Sequence, residues 1–521
     1  MLACSGAVHM ARPILPDRFM VCRLAWPATQ EVSEMGSKLK VAGWVAVGAV
    51  AGALATMQLQ ATARSALSPL PLEDMQQLAA VFDLVKRSYV EPVDEKKLIR
   101  DAIGGMVSGL DPHSAYFEGQ AYKEFHEGIS GKFTGVGIQI EMEEGLVKVV
   151  SPIEGSPAFR AGLQTGDLIT RIDETAVKGL NMDQAIKRMR GPSGSKVLLT
   201  VYRKAENRTF PVTIVREEIK TKSVRSKVME PGYAWIRVNQ FQEPTLRDFV
   251  EQLKEIFRAE PNLKGLVLDL RNDPGGLLDS AVGISAAFLP KDAVVVSTNG
   301  QIAESRSVLK ASPMFYSRDG SDVLAGLPAL IKSVPVVVLV NEGSASASEI
   351  VAGALKDHKR AIIMGSQTFG KGSVQSEMAR LPMPNTSLKI TTARYYTPSG
   401  QSIQAKGILP DIPVDETAEG SPYAALRLRE ADLDKHLING PEADKKDAAR
   451  EKAREEALKK LEEANAKAKD AKDKDKPVAR LPEYGAPDDF PLQQALNRLK
   501  GKPVVASKTQ VERKADEPKP N

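Results

Sequence analysis

Cysteine is almost missing from this chain: its 521 residues include two, Cys4 and Cys22, and both precede the first hydrophobic segment. The remainder can form no disulfide, use no thiol nucleophile and build no zinc–thiolate site. Histidine is scarce as well, with five copies, and no cluster of His, Asp and Glu has metal-ligand spacing. No metal or other cofactor is therefore expected. Aromatic residues make up 5%, and a formal charge of +5, from 71 basic against 66 acidic residues, is small for the length. Without a basic face interleaved with aromatics, nucleic acid is not an expected partner. The 42% apolar content suffices for sizeable cores, and the length points to roughly three to four domains.

What is present centres on residues 341–375, from NEGSASASEIVAGAL to GSQTFGKGSVQ. Five apolar residues in a row, Val336 to Val340, predict a strand buried on both faces. It leads into a small-residue loop, Gly343 to Ser348, and then a helical pattern of Ala347, Ile350, Val351, Ala354 and Leu355. Ser346 thus falls at a helix N-terminus, where free N–H groups and the dipole favour negative charge, as an acyl-transfer nucleophile requires. Lys371 stands between Gly370 and Gly372 after a second apolar run, Ala361 to Met364. Close approach of neighbours there can strip a lysine of water and make it a base. A flexible linker would not lie between a buried strand and an apolar-periodic helix. The flanks of Ser346 are not those of a G-x-S-x-G elbow. A Ser-His-Asp triad lacks material, because among His9, His113, His126, His358 and His436 only His358 is near, about three turns along the same helix.

NEGSASASEIVAGAL followed by TFGKGSVQ resembles the active-site signature of the carboxy-terminal processing peptidases, the Ser-Lys serine proteases of the tail-specific family S41. The resemblance runs from about Leu72 to about Pro413, with weaker similarity at Leu426 to His436 and Asp489 to Gly501. It implies Ser346 as nucleophile, Lys371 as general base and Gln375 as a residue that positions the lysine.

The expected architecture is α/β and multidomain: an N-terminal helical region, a PDZ-like β-rich module, a crotonase- or Clp-like β/α catalytic core and a charged C-terminal tail. Lys38 and Lys40 precede an apolar run, Val41 to Met57, and Ala61-Thr62-Ala63 offers an A-x-A cleavage site. Residues 35–66 read as an export signal, either cleaved or retained as an N-terminal anchor in the inner membrane. Residues 1–34 read as an upstream extension, because Met35 lies just ahead of the basic stretch. Over 72–128 two helical stripes, Met75/Leu78/Val81/Phe82/Val85/Tyr89 and Leu98/Ile99/Ala102/Ile103/Met106/Leu110, are expected to be core, with Asp94 as an N-cap. His113, in LDPHSAYF, reads as a satisfied loop histidine.

Residues 131–216 turn to short strands with glycine turns. Gly135, Val136, Gly137 and Ile138 place adjacent backbone N–H groups where a carboxylate could be cradled beside a strand edge. With SPAFRAGLQTGDLITRID after it, the segment closely resembles a PDZ domain, which implies binding of a peptide's free C-terminus. By the same resemblance Arg190 or Arg171 couples peptide binding to the active site. In the core, residues 217–440, GLVLDL predicts a buried strand ending in RNDPGGLL. The resemblance implies an oxyanion hole made by Gly275 or Gly276 with Ala347. Residues 441–521 collapse to Ala, Lys, Glu and Asp with a Lys/Pro-rich end and predict solvated helix or disorder, apart from a short docking helix in FPLQQALNRLKG.

The expected protein is a periplasmic or envelope serine endopeptidase cutting exported proteins near their C-termini. Its expected partners are peptide substrates with free C-termini, and a homo-oligomer or an adaptor protein. The alternatives are a catalytically inactive PDZ scaffold, against which the intact Ser346/Lys371 pair argues, and an HtrA-like His/Asp/Ser protease, for which no histidine is suitably placed.

Overall fold

In the computed structural model, residues 71–153, 155–378, 384–421, 426–439, 452, 454–456, 459 and 483–509 are described. The expected export signal, both cysteines and most of the charged tail lie outside them. The chain divides into two compact units, Met1–Leu98 and Ile99–Asn521.

Helices α1 (Leu72–Ser88) and α2 (Glu95–Ser108) form where the apolar spacing predicts them. Asp94 caps α2, its Oδ1 accepting the N–H groups of Lys96 at 2.9 Å and Lys97 at 3.3 Å. The expectation that their stripes are core is not met: α1 buries no residue and α2 only Val107, while Met75, Leu78, Val81, Ile99, Met106 and Leu110 are exposed. Helical periodicity specifies an apolar face but not the surface that covers it.

Strand β1 (Ala115–Glu118) and helix α3 (Gln120–Ser130) lead to β2 (Lys132–Gly135), which pairs with β9 (Glu217–Lys220). Between them lies a sheet ordered β3 (Ile138–Glu143), β4 (Leu146–Pro152), β5 (Leu168–Ile172), β7 (Lys196–Arg203), β8 (Arg208–Val215), with β6 (Thr175–Ala176) on β5. Short α4 (Pro157–Arg160) and α5 (Met182–Met189) complete this module around Val147, Ile169, Leu199 and Val201. Among the described residues β3 pairs only with β4, which leaves its other edge open there.

The core sheet runs β10 (Val224–Glu230), β11 (Tyr233–Val238), β12 (Gly265–Asp269), β15 (Val336–Val340), β16 (Ile362–Gly365), β19 (Ile412–Pro413), parallel from β11 onward. Helices α6 (Thr245–Ala259), α7 (Leu278–Phe288) and α9 (Ala347–Asp357) pack on one face, joined by Val336, Val338 and Val340. Alternate residues, Val337 and Leu339, face a second cluster with α10 (Phe490–Leu499), so the continuous apolar runs are two-faced. A further sheet orders β1, β18 (Thr386–Tyr396), β13 (Val294–Gly300) and β14 (Ser307–Lys310), with β17 (Ser373–Met378) on β18; short α8 (Pro313–Tyr316) follows β14.

Candidate active site

Three neighbouring parallel strands deliver the candidate residues from their carboxyl ends, the side on which open α/β sheets place their sites. β12 runs into the glycine loop, β15 into Ser346 and β16 into the Lys371 loop. Ser346 is the N-cap of α9 and is 9% exposed, with φ 55 and ψ −112. This is a sparsely populated conformation for a side-chain-bearing residue, worth about 1–3 kcal/mol of strain, and it persists only where the surroundings impose it.

Glu349, fully buried on the first turn of α9, supplies that imposition. Its Oε2 accepts the N–H of Ser346 at 2.7 Å and of Lys371 at 2.9 Å. Its Oε1 accepts from Gly370 N–H at 2.7 Å and Thr368 Oγ1 at 2.5 Å. Burial pushes the carboxyl up to about 7, against the pull of these four donors. Ser346 Oγ and Lys371 Nζ share no hydrogen bond among the described residues; the loops that carry them are tied through this side chain and by Phe369 N–H donating to Ser344 O at 3.0 Å. Burial also draws the Lys371 ammonium below the usual lysine range, and the Lys389 charge acts in the same direction while Glu430, Glu349 and Asp111 oppose it.

The glycine loop lies directly against Ser346. A Cβ on Gly275 would stand 2.8 Å from Ser346 Cβ and from Ala347 N, and one on Gly276 would stand 2.0 Å from Phe241 O. Both have positive φ, so only glycine fits either position. Gly275 N–H is already committed to Asp273 Oδ1 at 2.8 Å. Gly276 N–H and Ala347 N–H, at the helix start, have no acceptor among the described residues, which makes these two the free donors beside Ser346. Asp273 locks the two loops together, its carbonyl accepting Ala345 N–H at 2.9 Å and Ser348 Oγ at 3.0 Å. Gln375, on β17, directs its amide to Ser373 Oγ at 2.9 Å and Thr391 Oγ1 at 3.1 Å, and no hydrogen bond joins it to Lys371 among the described residues.

In the β-rich module, Val136 and Gly137 N–H donate to nothing among the described residues, while their carbonyls are bound by Ala158 N–H and Ile153 N–H at 2.9 Å each. Ile138 begins the open edge of β3. Gly137, with φ +79, leaves no room for a Cβ, which would stand 2.3 Å from Ser156 Cβ.

Three family models match: Peptidase family S41 over residues 232–414, a PDZ domain over 134–214 and the activating protease CtpB N-terminal domain over 41–121. A carboxy-terminal-processing protease of Bartonella bacilliformis is 41% identical over 406 residues, covering 76% of this chain and 88% of the relative. The chain belongs to the carboxy-terminal-processing proteases of family S41. A CtpA-like serine protease of Staphylococcus aureus is 37% identical over 352 residues, 67% of each chain. Among solved structures, the photosystem II D1 C-terminal processing protease matches at 28% identity and a TM-score of 0.37, over 65% of this chain and 92% of that one.

The protease holds its two arginines of interest in different settings. Arg190, at the end of α5, donates to Glu127 Oε2 of α3 at 2.6 Å, lies over the Phe133 ring and passes beside Gly135. Arg171 donates to the Glu174 carbonyl of its own hairpin at 2.8 Å. Sequence reasoning missed Glu349, although Ser346-x-x-Glu349 has capping-box spacing and could have flagged it. It also missed the buried carboxyl group of Glu430, for which no local pattern exists, and Arg271, which binds Asp269 at 2.6 Å and Asp489 at 2.7 Å.

Proposed function

We propose that this serine peptidase works by a Ser346/Lys371 dyad on exported proteins in the periplasm or cell envelope, with its PDZ domain reading the substrate's free C-terminus. The observation that carries the reading is the convergence of Ser346 N–H and Lys371 N–H on Glu349 Oε2. Neutral Lys371 takes the Ser346 proton as Oγ attacks the scissile carbonyl. Ala347 and Gly276 N–H groups hold the oxyanion. The lysine then protonates the leaving amine, and water, deprotonated by the same lysine, resolves the acyl-enzyme. Gln375 contributes by tying Ser373 on β17, the strand that follows Lys371, to Thr391 on the adjacent β18.

The substrate's last residues add to the open edge of β3, their carboxylate meeting the free Val136 and Gly137 donors. Arg190 is favoured over Arg171 as the coupling residue. Its partner helix α3 ends with carbonyls of Gly128 and Ile129 that accept Gln242 Nε2 and Glu243 N–H at 3.0 Å each, next to Phe241, which brackets the glycine loop. Export rests on the signal-like residues 35–66, cleaved or kept as an inner-membrane anchor. The exposed apolar stripe of α1 supports association with a second copy or an adaptor protein.

The test compares purified protein and Ser346→Ala on envelope extract, reading new C-termini by mass spectrometry. New C-termini that appear with the wild type and vanish with Ser346→Ala support the reading; identical products from both would sink it.

A further inference from the structure

His113 is not used by the chemistry above, yet it begins a chain of hydrogen bonds that ends beside Lys371. Its Nε2 donates to Glu430 Oε2 at 2.7 Å. Glu430 Oε1 accepts Gln404 Nε2 at 2.8 Å, and Gln404 Oε1 accepts the N–H of Gly372 at 3.0 Å. Glu430 and Gln404 are both fully buried. Glu430 N–H also donates to Phe369 O at 3.1 Å, so the same residue grips the loop on both sides of Lys371. Gly372 is pressed so close to Gln404 that a Cβ would stand 2.2 Å from its backbone N.

The turn carrying His113 is itself fixed. Asp111 Oδ1 accepts the N–H groups of His113 at 2.8 Å and Ser114 at 2.9 Å, and Ser114 Oγ accepts Thr391 N–H at 3.1 Å. Thr391 Oγ1 in turn accepts the Gln375 amide. The segment therefore braces the lysine loop through Glu430 and the following strand β17 through Thr391 of β18. A buried charged carboxylate is an expensive way to fill space, and an apolar pair of the same volume would serve stability as well. An ordering role explains why the chain ends on the backbone next to the base.

We propose that His113 is a positioning residue for the catalytic lysine, holding the Gly370–Gly372 loop through Glu430 and Gln404. The inference rests on the reading of Lys371 as the base. Misplacing a catalytic group by about an ångström costs on the order of a hundredfold. His113→Ala in the full chain should therefore lower kcat about 10- to 100-fold with KM nearly unchanged, and His113→Gln, which keeps a donor, should recover part of it. Gln404→Leu breaks the chain at its far end without touching His113 and should show the same KM-sparing loss. Glu430→Gln keeps most of the hydrogen bonding but removes one of the charges facing Lys371, the others being Lys389, Glu349 and Asp111. It should move the rising limb of the pH–kcat profile to lower pH.

Wild-type kcat in folded His113→Ala or Gln404→Leu would overturn the proposal. So would a loss that disappears when each variant is assayed well below its own melting temperature. If His113→Ala does not fold, Gln404→Leu and the Glu430→Gln pH limb decide. Lys371→Ala is the separate control: activity there overturns the base assignment itself, whereas an inactive Lys371→Ala beside a fully active Gln404→Leu overturns only the brace.

Discussion

The N–H of Ser346 and the N–H of Lys371 converge on a single oxygen, Glu349 Oε2, at 2.7 and 2.9 Å. The two residues follow different strands, and a buried carboxyl group holds both backbones without a hydrogen bond to Ser346 Oγ or Lys371 Nζ. The arrangement separates orientation from chemistry, and the two can be tested apart.

Glu349→Gln presents an NH2 group where the carboxylate accepted, so two of the four donors lose their acceptor at about 1–3 kcal/mol each. We expect a fall in kcat of about a hundredfold or more, together with a lower melting temperature. The raised carboxyl also has a pH signature. Its native value of about 7 lies above the 4.5 of the unfolded chain. The native state thus binds the proton more tightly, and stability is lost as pH rises through that window. Denaturant titrations at several pH values should show this loss in the wild type and its absence in Glu349→Gln; equal slopes would refute the assignment.

Lys371 must be neutral to accept a proton, so cleavage should rise with pH, with a midpoint below the ordinary lysine range. Lys371→Arg should be inactive because a guanidinium keeps its proton. Removing the neighbouring positive charge makes protonation of Lys371 easier, so Lys389→Met should shift the rising limb to higher pH. Steady-state pH–rate profiles measure both, and an unmoved limb in Lys389→Met would show that the Lys389 charge does not act on Lys371.

In the PDZ domain, amidating a substrate's C-terminus replaces an acceptor with a donor opposite the free Val136 and Gly137 N–H groups. That change should cost about 1–3 kcal/mol, or roughly tenfold to a hundredfold in cleavage efficiency. Gly137→Ala, whose Cβ has no space beside Ser156, should erase the difference between free and amidated peptides. Arg190→Ala should weaken activation by the free end, and Arg171→Ala should not. Equal cleavage of the matched peptides by the wild type would show that the domain is not the reader.

Asp489→Ala leaves the buried Arg271 guanidinium with fewer partners and frees the start of α10 from the core sheet. A cost of about 3–5 kcal/mol is expected from breaking such a buried pair. Chemical denaturation measures it, and a change below about 1 kcal/mol would mean that α10 is held by its apolar contacts alone.

Much of the site is legible in the chain because it is local. Val336–Val340 is apolar without a break because both its faces are covered, and the small residues after it leave room for the glycine loop. Ser346 at a helix start and Lys371 between glycines follow from spacing within a few residues, as do the glycine turn at Gly135–Ile138 and the helices at Leu72 and Glu95. The tertiary structure alone decides which surfaces meet. It leaves the stripe of α1 exposed, joins Arg271 to Asp489 across 218 positions and brings His113 to Glu430 across 317. Periodicity and capping are short-range consequences of backbone geometry, whereas a buried ion pair between distant residues forms only after packing has removed the water around both partners.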